Sequence, residues 1–148
     1  MNYSIEVLPS TKVFYKRRVG SYGIENYTLM EALKASLKRE ELFSENIVIY
    51  GIALDNPKKI SPDHYRYDVA VESDISLPNM KTRNLDSGEY AIFQIDHTMD
   101  AISAFWSTFP SLLNKGSYII DLSRPILERY NVNLINKGRC EMLVPIKI

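Results

Sequence analysis

Hydrophobic and polar positions change period several times along this chain, and the changes mark out its elements. Ile5 to Leu8 and Lys12 to Val19 read as extended segments interrupted by Pro9-Ser10. In the second, Val13, Tyr15 and Arg17 fall on one face, with Phe14, Lys16 and Arg18 on the other. Gly20 to Gly23 reads as a turn. From Glu25 to about Lys38 the period becomes helical: Leu29, Leu33 and Leu37 form a stripe widened by Met30, while Glu31, Lys34 and Lys38 face away. Asn46 to Leu54 is a strongly apolar strand. Turns are expected at Asp55-Asn56-Pro57 and Ser61-Pro62. His64 to Val71 alternates strictly, with Tyr65, Tyr67, Val69 and Val71 opposite Arg66, Asp68 and Ala70.

A polar break at Ser73 to Pro78 precedes a second, similar series. Lys81 to Leu85 and Glu89 to Ile95 read as strands around the turn Asp86-Ser87-Gly88. Thr98 is placed to cap a helix running to about Leu113, whose apolar face carries Ile102, Phe105, Trp106 and Phe109. Pro110 is expected to kink or restart that helix. Pro125 to Tyr130 and Cys140 to Ile148 read as strands, with a turn at Asn136-Lys137-Gly138. The series strand, helix, strand, strand therefore occurs twice. It predicts an α+β fold of two pseudo-symmetric halves, about 1–73 and 80–148, with antiparallel sheets and one shared core in a single domain over 1–148. Helices on one face of such sheets leave a central cleft where the halves meet, and ligand pockets favour seams of this kind.

Composition narrows the function classes. At 148 residues the chain has room for one ordinary core. Lys plus Arg equals Asp plus Glu at 18 each, so no basic footprint for direct nucleic-acid contact exists. The single Cys140 excludes an internal disulfide and a cysteine-based zinc site, and neither metal nor cofactor is expected. The first ten residues lack the pattern of a signal peptide, and no apolar run approaches a membrane span, so a cytoplasmic protein without membrane contact is expected. Nucleotide-binding glycine motifs and a GxSxG elbow are absent. His64 and His97 are expected outside the cleft wall. The conspicuous excess is aromatic, with 10 Tyr, 5 Phe and 1 Trp. Such rings serve cores and pocket walls alike.

One acid stands out. Glu128 shares a face of the apolar strand Pro125-Ile126-Leu127-Glu128-Arg129-Tyr130 with Ile126 and Tyr130. A carboxylate there is costly unless it is solvated or paired. Either that face is exposed or ion-paired, or Glu128 is a cleft anion with a pKa raised by desolvation. Arg66 and Asp68 share a strand face and read first as scaffold ion pairs. Trp106 is either core or one wall of an aromatic box. Tyr22, beside Gly20 and Gly23, is either a turn residue or a cleft lid.

Four segments together resemble the GyrI-like (DNA-gyrase-inhibitor-like) small-molecule-binding family, which also supplies effector-binding domains of AraC-type and MerR-type transcription regulators. They are Arg18-Val19-Gly20-Ser21-Tyr22; Tyr50-Gly51-Ile52-Ala53-Leu54-Asp55-Asn56-Pro57 with Tyr65-Arg66-Tyr67-Asp68; Leu85-Asp86-Ser87-Gly88-Glu89-Tyr90-Ala91-Ile92-Phe93; and Phe105-Trp106 followed by Pro125 to Tyr130 and Glu141-Met142-Leu143-Val144-Pro145-Ile146. The match runs in register over essentially the whole chain, so no helix-turn-helix domain is expected within it. It implies a cleft with Glu128 at its base, lined by aromatic candidates Trp106, Tyr22, Tyr67 and Tyr130, that takes lipophilic and often cationic aromatic compounds. Leu127 and Leu143 replace the usual aromatics, which implies a wider pocket.

Three functions follow from the resemblance. The first is a stand-alone small-molecule-binding protein serving sequestration or transcriptional sensing, multidrug binding included. The second is a hydrolase of strained DNA-alkylating toxins with Glu128 as the catalytic acid, and Glu141 as a second carboxylate. The third is inhibition of DNA gyrase by protein contact; gyrase or a transcription regulator would then be the protein partner.

Overall fold

The computed structural model describes residues 3–55, 59–73, 76–112 and 119–147. Its strands are β1 (Ser4–Leu8), β2 (Thr11–Val19), β3 (Val48–Ala53), β4 (Arg66–Glu72), β5 (Lys81–Leu85), β6 (Gly88–Asp96), β7 (Ile119–Ile120), β8 (Leu127–Asn131) and β9 (Arg139–Lys147). The α-helices are α1 (Ile24–Arg39), α2 (Met99–Leu112) and α3 (Val132–Asn136). Thr98 caps α2 as expected, accepting from the Ala101 N–H at 3.1 Å. The described part of α2 runs on through Pro110 to Leu112 without restarting there. Asn56 and Pro57 of one expected turn, Leu113 at the expected end of α2, and the side chain of Phe109 lie outside the described residues. The short helix α3 departs from the sequence expectation: Asn131 caps it through the Leu134 N–H at 2.9 Å, and Gly138 at φ 72 ends the turn behind it.

All pairings are antiparallel within one sheet of order β1-β6-β9-β8-β3-β4-β2-β5, with β7 added to β9. Read from either end, the order gives the same sequence of roles. β2-α1-β3-β4 builds one half and β6-α2-β8-β9 the other, and the β3–β8 pair joins them. β1 runs almost directly into β2, and β5 into β6. The ladder from Ser4↔Ile92 to Leu8↔Gly88 resumes at Thr11↔Leu85, so two bent strands pair with each other at both ends of the sheet. That continuity curls the sheet into a half-barrel.

Strand alternation then sends side chains to two environments. The inner face collects Val13, Tyr50, Ile52, Ala70, Leu85, Tyr90, Leu127 and Leu143. The outer face carries both helices. Met30, Leu33 and Leu37 of α1 cover Phe14, Ile49, Val69 and Val71, while Phe105 of α2 meets Phe93 at 5.6 Å between ring centroids. Leu127 and Leu143 are cross-strand partners on the inner face, so their substitution for aromatics shapes the barrel interior and leaves the cleft side untouched.

The expected scaffold pairs are present with different partners. Asp68 is fully buried and bridges Arg17 at 2.7 Å and Arg83 at 3.3 Å. Arg66 instead grips Asp55: the Asp55 carboxylate accepts the Arg66 backbone N–H at 2.6 Å and its guanidinium at 2.9 Å. This contact holds Asp55 below its ordinary pKa.

Candidate functional site

The acid sits at the join of the halves. Gly51↔Glu128 is a register pair of β3 and β8, and Glu128 faces Met142 across the β8–β9 ladder. Its side chain therefore leaves the sheet on the outer face, between the half covered by α1 and the half covered by α2. Glu128 is 7% exposed. Two hydroxyls donate to the same oxygen, Tyr67 to Oε1 at 2.6 Å and Tyr130 to Oε1 at 2.9 Å. Both hydroxyl contacts fall on Oε1, while Oε2 is not among the described side-chain atoms sealed from solvent without a partner, and among the described residues no Lys or Arg lies within ion-pair distance of Glu128.

Burial raises the Glu128 pKa, and the two tyrosine hydroxyls oppose that shift without cancelling it. Burial and the nearby carboxylate push both phenols well above the ordinary tyrosine value, so Tyr67 and Tyr130 remain O–H donors. Cys140 borders the same space, and burial with the Glu128 charge pushes its thiol up to about 12. An unreactive thiol is the consequence.

Aromatic rings continue the site toward the Gly20–Gly23 turn, which Arg18 braces by donating to the Ser21 carbonyl at 2.8 Å and Asn26 Oδ1 at 2.7 Å. Tyr22 stacks on Tyr65 at 4.6 Å and meets Tyr67 edge-on at 6.3 Å. Its hydroxyl donates to the Arg66 carbonyl at 3.0 Å and accepts the Asp55 N–H at 3.1 Å. Of the two alternatives for Tyr22, turn residue or cleft lid, these contacts show the first: its ring and hydroxyl tie the Gly20–Gly23 turn to Tyr65, Arg66 and Asp55. Tyr130 packs against the cores of both halves. Trp106 is half-buried on α2, edge-on to Phe105 at 5.9 Å, and packs beside the second half's core.

Two expectations are corrected. The His97 ring lies 5.4 Å from that of Tyr130, which brings it beside the site. The turn after β6 carries it there, held by the His97 N–H to the Gly138 carbonyl at 2.8 Å. Partial burial and Lys34 hold its pKa down. Glu141 is not a second cleft carboxylate. The ladder places it opposite Arg129, on the inner face, where the two pair at 2.9 Å. His64 remains apart, bonded to Ser61 at 3.0 Å.

Gly51 was not singled out by its sequence signal, a lone glycine within the apolar run Val48–Ala53. A Cβ built there would collide with the Tyr67 hydroxyl and Glu128 Oε1. An open cavity of about 630 Å³ lies elsewhere, beside Lys12, Phe14, Glu72 and Thr82. No cluster of His, Cys, Asp and Glu among the described residues could hold a metal ion, and no described helix is long and apolar enough to cross a membrane.

A family model described as the GyrI-like small molecule binding domain matches residues 1–147. The SPbeta prophage-derived protein YosT of Bacillus subtilis (strain 168), provisionally named a transcriptional regulator, is 38% identical over 151 residues, covering 99% of this chain and all of its own. Among solved structures, SAV2435 bound to tetraphenylphosphonium aligns with a TM-score of 0.66 at 16% identity, covering 99% of this chain and 94% of the other. The EcmrR C-terminal domain aligns with a TM-score of 0.72 at 10% identity, covering 99% of each chain. At these identities the two structures speak to the fold alone.

Proposed function

The chain belongs to the GyrI-like small molecule binding domain family, and we propose that it takes lipophilic, cationic aromatic compounds at Glu128, for sequestration or transcriptional sensing. The observation that carries this reading is a buried carboxylate with hydroxyl partners and no cation within ion-pair distance among the described residues. The protein has taken most of this carboxylate out of water, and among the described residues it offers the acid hydroxyl donors but no cation. A ligand cation supplies the missing charge. The surrounding tyrosine faces add roughly 0.5–2 kcal/mol per cation–π contact. Tyr22, Tyr67 and Tyr130 are the proposed aromatic contacts, with Trp106 as a wall on the α2 side. Because the acid is nearly closed from solvent, entry requires the aromatic cover to part. Tetraphenylphosphonium, which SAV2435 binds, is a suitable first probe. Titration calorimetry should show binding to the wild type and weakening in Glu128→Gln by about 2–5 kcal/mol, roughly thirty-fold to several-thousand-fold. Equal affinity in the two proteins would refute the role of the acid.

The Tyr67–Glu128 contact at 2.6 Å favours one further reading, hydrolysis. An acid of raised pKa held by a phenol can protonate a leaving group or activate water. Recovery of a bound DNA-alkylating compound unchanged after prolonged incubation would refute it. Loss of turnover in Glu128→Gln with substrate affinity largely kept would support it.

A further inference from the structure

The geometry points to Gly51 as the positioning residue of the acid: its missing side chain is the space in which the Tyr67 hydroxyl reaches Glu128. Gly51 and Glu128 face each other across the central β3–β8 pair, where the two halves join. Both project to the same face of the sheet, so one position supplies the carboxylate and the other supplies room. A Cβ on Gly51 would collide with both the Tyr67 hydroxyl and Glu128 Oε1, the two ends of the 2.6 Å hydrogen bond. The Tyr67 ring carbon bearing that hydroxyl would lie 3.1 Å away, so the ring itself would also have to give by a few tenths of an ångström.

Backbone conformation does not explain the glycine. Gly51 is not one of the positive-φ glycines, which among the described residues are Gly20, Gly88 and Gly138. It lies within a regular ladder, paired with Val69 on one side and Glu128 on the other. Glycine weakens a strand interior unless something must approach closely, and here the close approach is the tyrosine clamp. Gly51 acts through Tyr67, fixing how many hydroxyls reach Oε1 and so how far they offset the upward shift that burial imposes on the acid.

The test is a cycle of Gly51→Ala, Tyr67→Phe and the double variant, read by thermal unfolding and by carbon-13 NMR titration of the Glu128 carboxyl. Gly51→Ala should lower Tm by about 4 °C or more in the wild type and by clearly less in the Tyr67→Phe background, where the hydroxyl is gone and Glu128 Oε1 can shift into the space it leaves. The Glu128 titration should move upward in Gly51→Ala, to match Tyr67→Phe, with no further move in the double variant. If the single variant does not fold while the double variant does, the coupling is confirmed in its extreme form. If neither folds, if the Tm losses simply add, or if the carboxyl titrates as in the wild type, the proposal is overturned. A ligand arm uses tetraphenylphosphonium chloride: its Kd ratio between pH 6 and pH 8 should rise in Gly51→Ala. This arm alone rests on the binding reading. Absence of tetraphenylphosphonium binding by the wild type would count against that reading, while the thermal and NMR cycle would still decide the role of Gly51.

Discussion

Replacing Glu128 by Gln should leave the fold at least as stable at neutral pH, and the advantage should grow with pH. The side chain keeps its shape and an oxygen for Tyr67 and Tyr130. A hydrogen bond to a charged acceptor is worth about 1.5–3 kcal/mol and a neutral one about 0.5–1.5 kcal/mol, so removing the charge costs roughly 2–3 kcal/mol over the two bonds. Against this stands the residual desolvation of the carboxylate, several kcal/mol after relaxation, with no cation among the shift's causes to offset it. The opposing quantities nearly cancel. The variant should sit within about 1 kcal/mol of the wild type at pH 7, on the stabilising side, a Tm change of about 2–4 °C. The pH dependence has a definite sign. Because the folded-state pKa of Glu128 is raised, the folded protein binds its proton more tightly than the unfolded chain does. That contribution is complete below the unfolded carboxylate pKa and is lost as pH rises through the folded value. Gln does not titrate. Urea denaturation of both proteins between pH 4 and pH 8 should therefore show the difference turning in favour of Gln as pH rises. A flat or opposite trend, or a loss beyond about 3 kcal/mol at pH 7, would reveal a cationic partner or a solvated acid and refute the reasoning.

Tyr130→Phe should raise the Glu128 pKa further by removing one of its two donors, visible in the same carboxyl NMR titration; an unchanged titration would mean the hydroxyl bonds elsewhere in solution. Asp68→Asn should cost about 2–3 kcal/mol in urea denaturation, below the 3–5 kcal/mol of a fully buried pair because Arg17 and Arg83 keep 34% and 26% side-chain exposure. A cationic ligand needs the ionised acid, so tetraphenylphosphonium affinity should fall as pH drops through the raised Glu128 pKa, and a pH-independent Kd would contradict this. Trp106, half-buried on α2, should change its fluorescence when an aromatic compound saturates the site; constant emission with proven binding would place it in the core alone.

Much of this was legible in the residue pattern. The four-residue stripe of α1 survives in the structure because one face of the helix is buried, and the alternation of Tyr65 to Val71 survives because the two faces of β4 meet different surroundings, α1 and its core on one side and the barrel interior with the Asp68 ion pairs on the other. The face shared by Ile126, Glu128 and Tyr130 followed from period two alone. Register was not legible. Whether Glu141 or Met142 faces Glu128 depends on a one-residue offset between β8 and β9, which sends the carboxylate to the opposite face. The partner of Arg66 likewise required knowing that β3 ends beside the start of β4. His97 reached Tyr130 through a turn that no alternation predicts. Gly51 left a signal, a lone glycine in a strand of Val, Ile and Tyr, but its meaning lay in two side chains distant in sequence.

The bent strands that curl the sheet also govern the order in which the protein can be assembled. β1 finds its partner only when residues 88–92 exist, and β3 acquires its second neighbour only with residues 127–131. During synthesis, then, α1 with β2, β3 and β4 can condense early, exposing the β3 edge where Gly51 waits. Each long-range pairing adds loop-closure cost and slows folding relative to a helical protein of equal length. The strand bearing the acid inserts beside that edge near the end, and the buried charge is enclosed only as β8 and β9 complete the sheet. A chain truncated before position 127 would thus lose the acid and present an unpaired central strand, a template for association with its own kind.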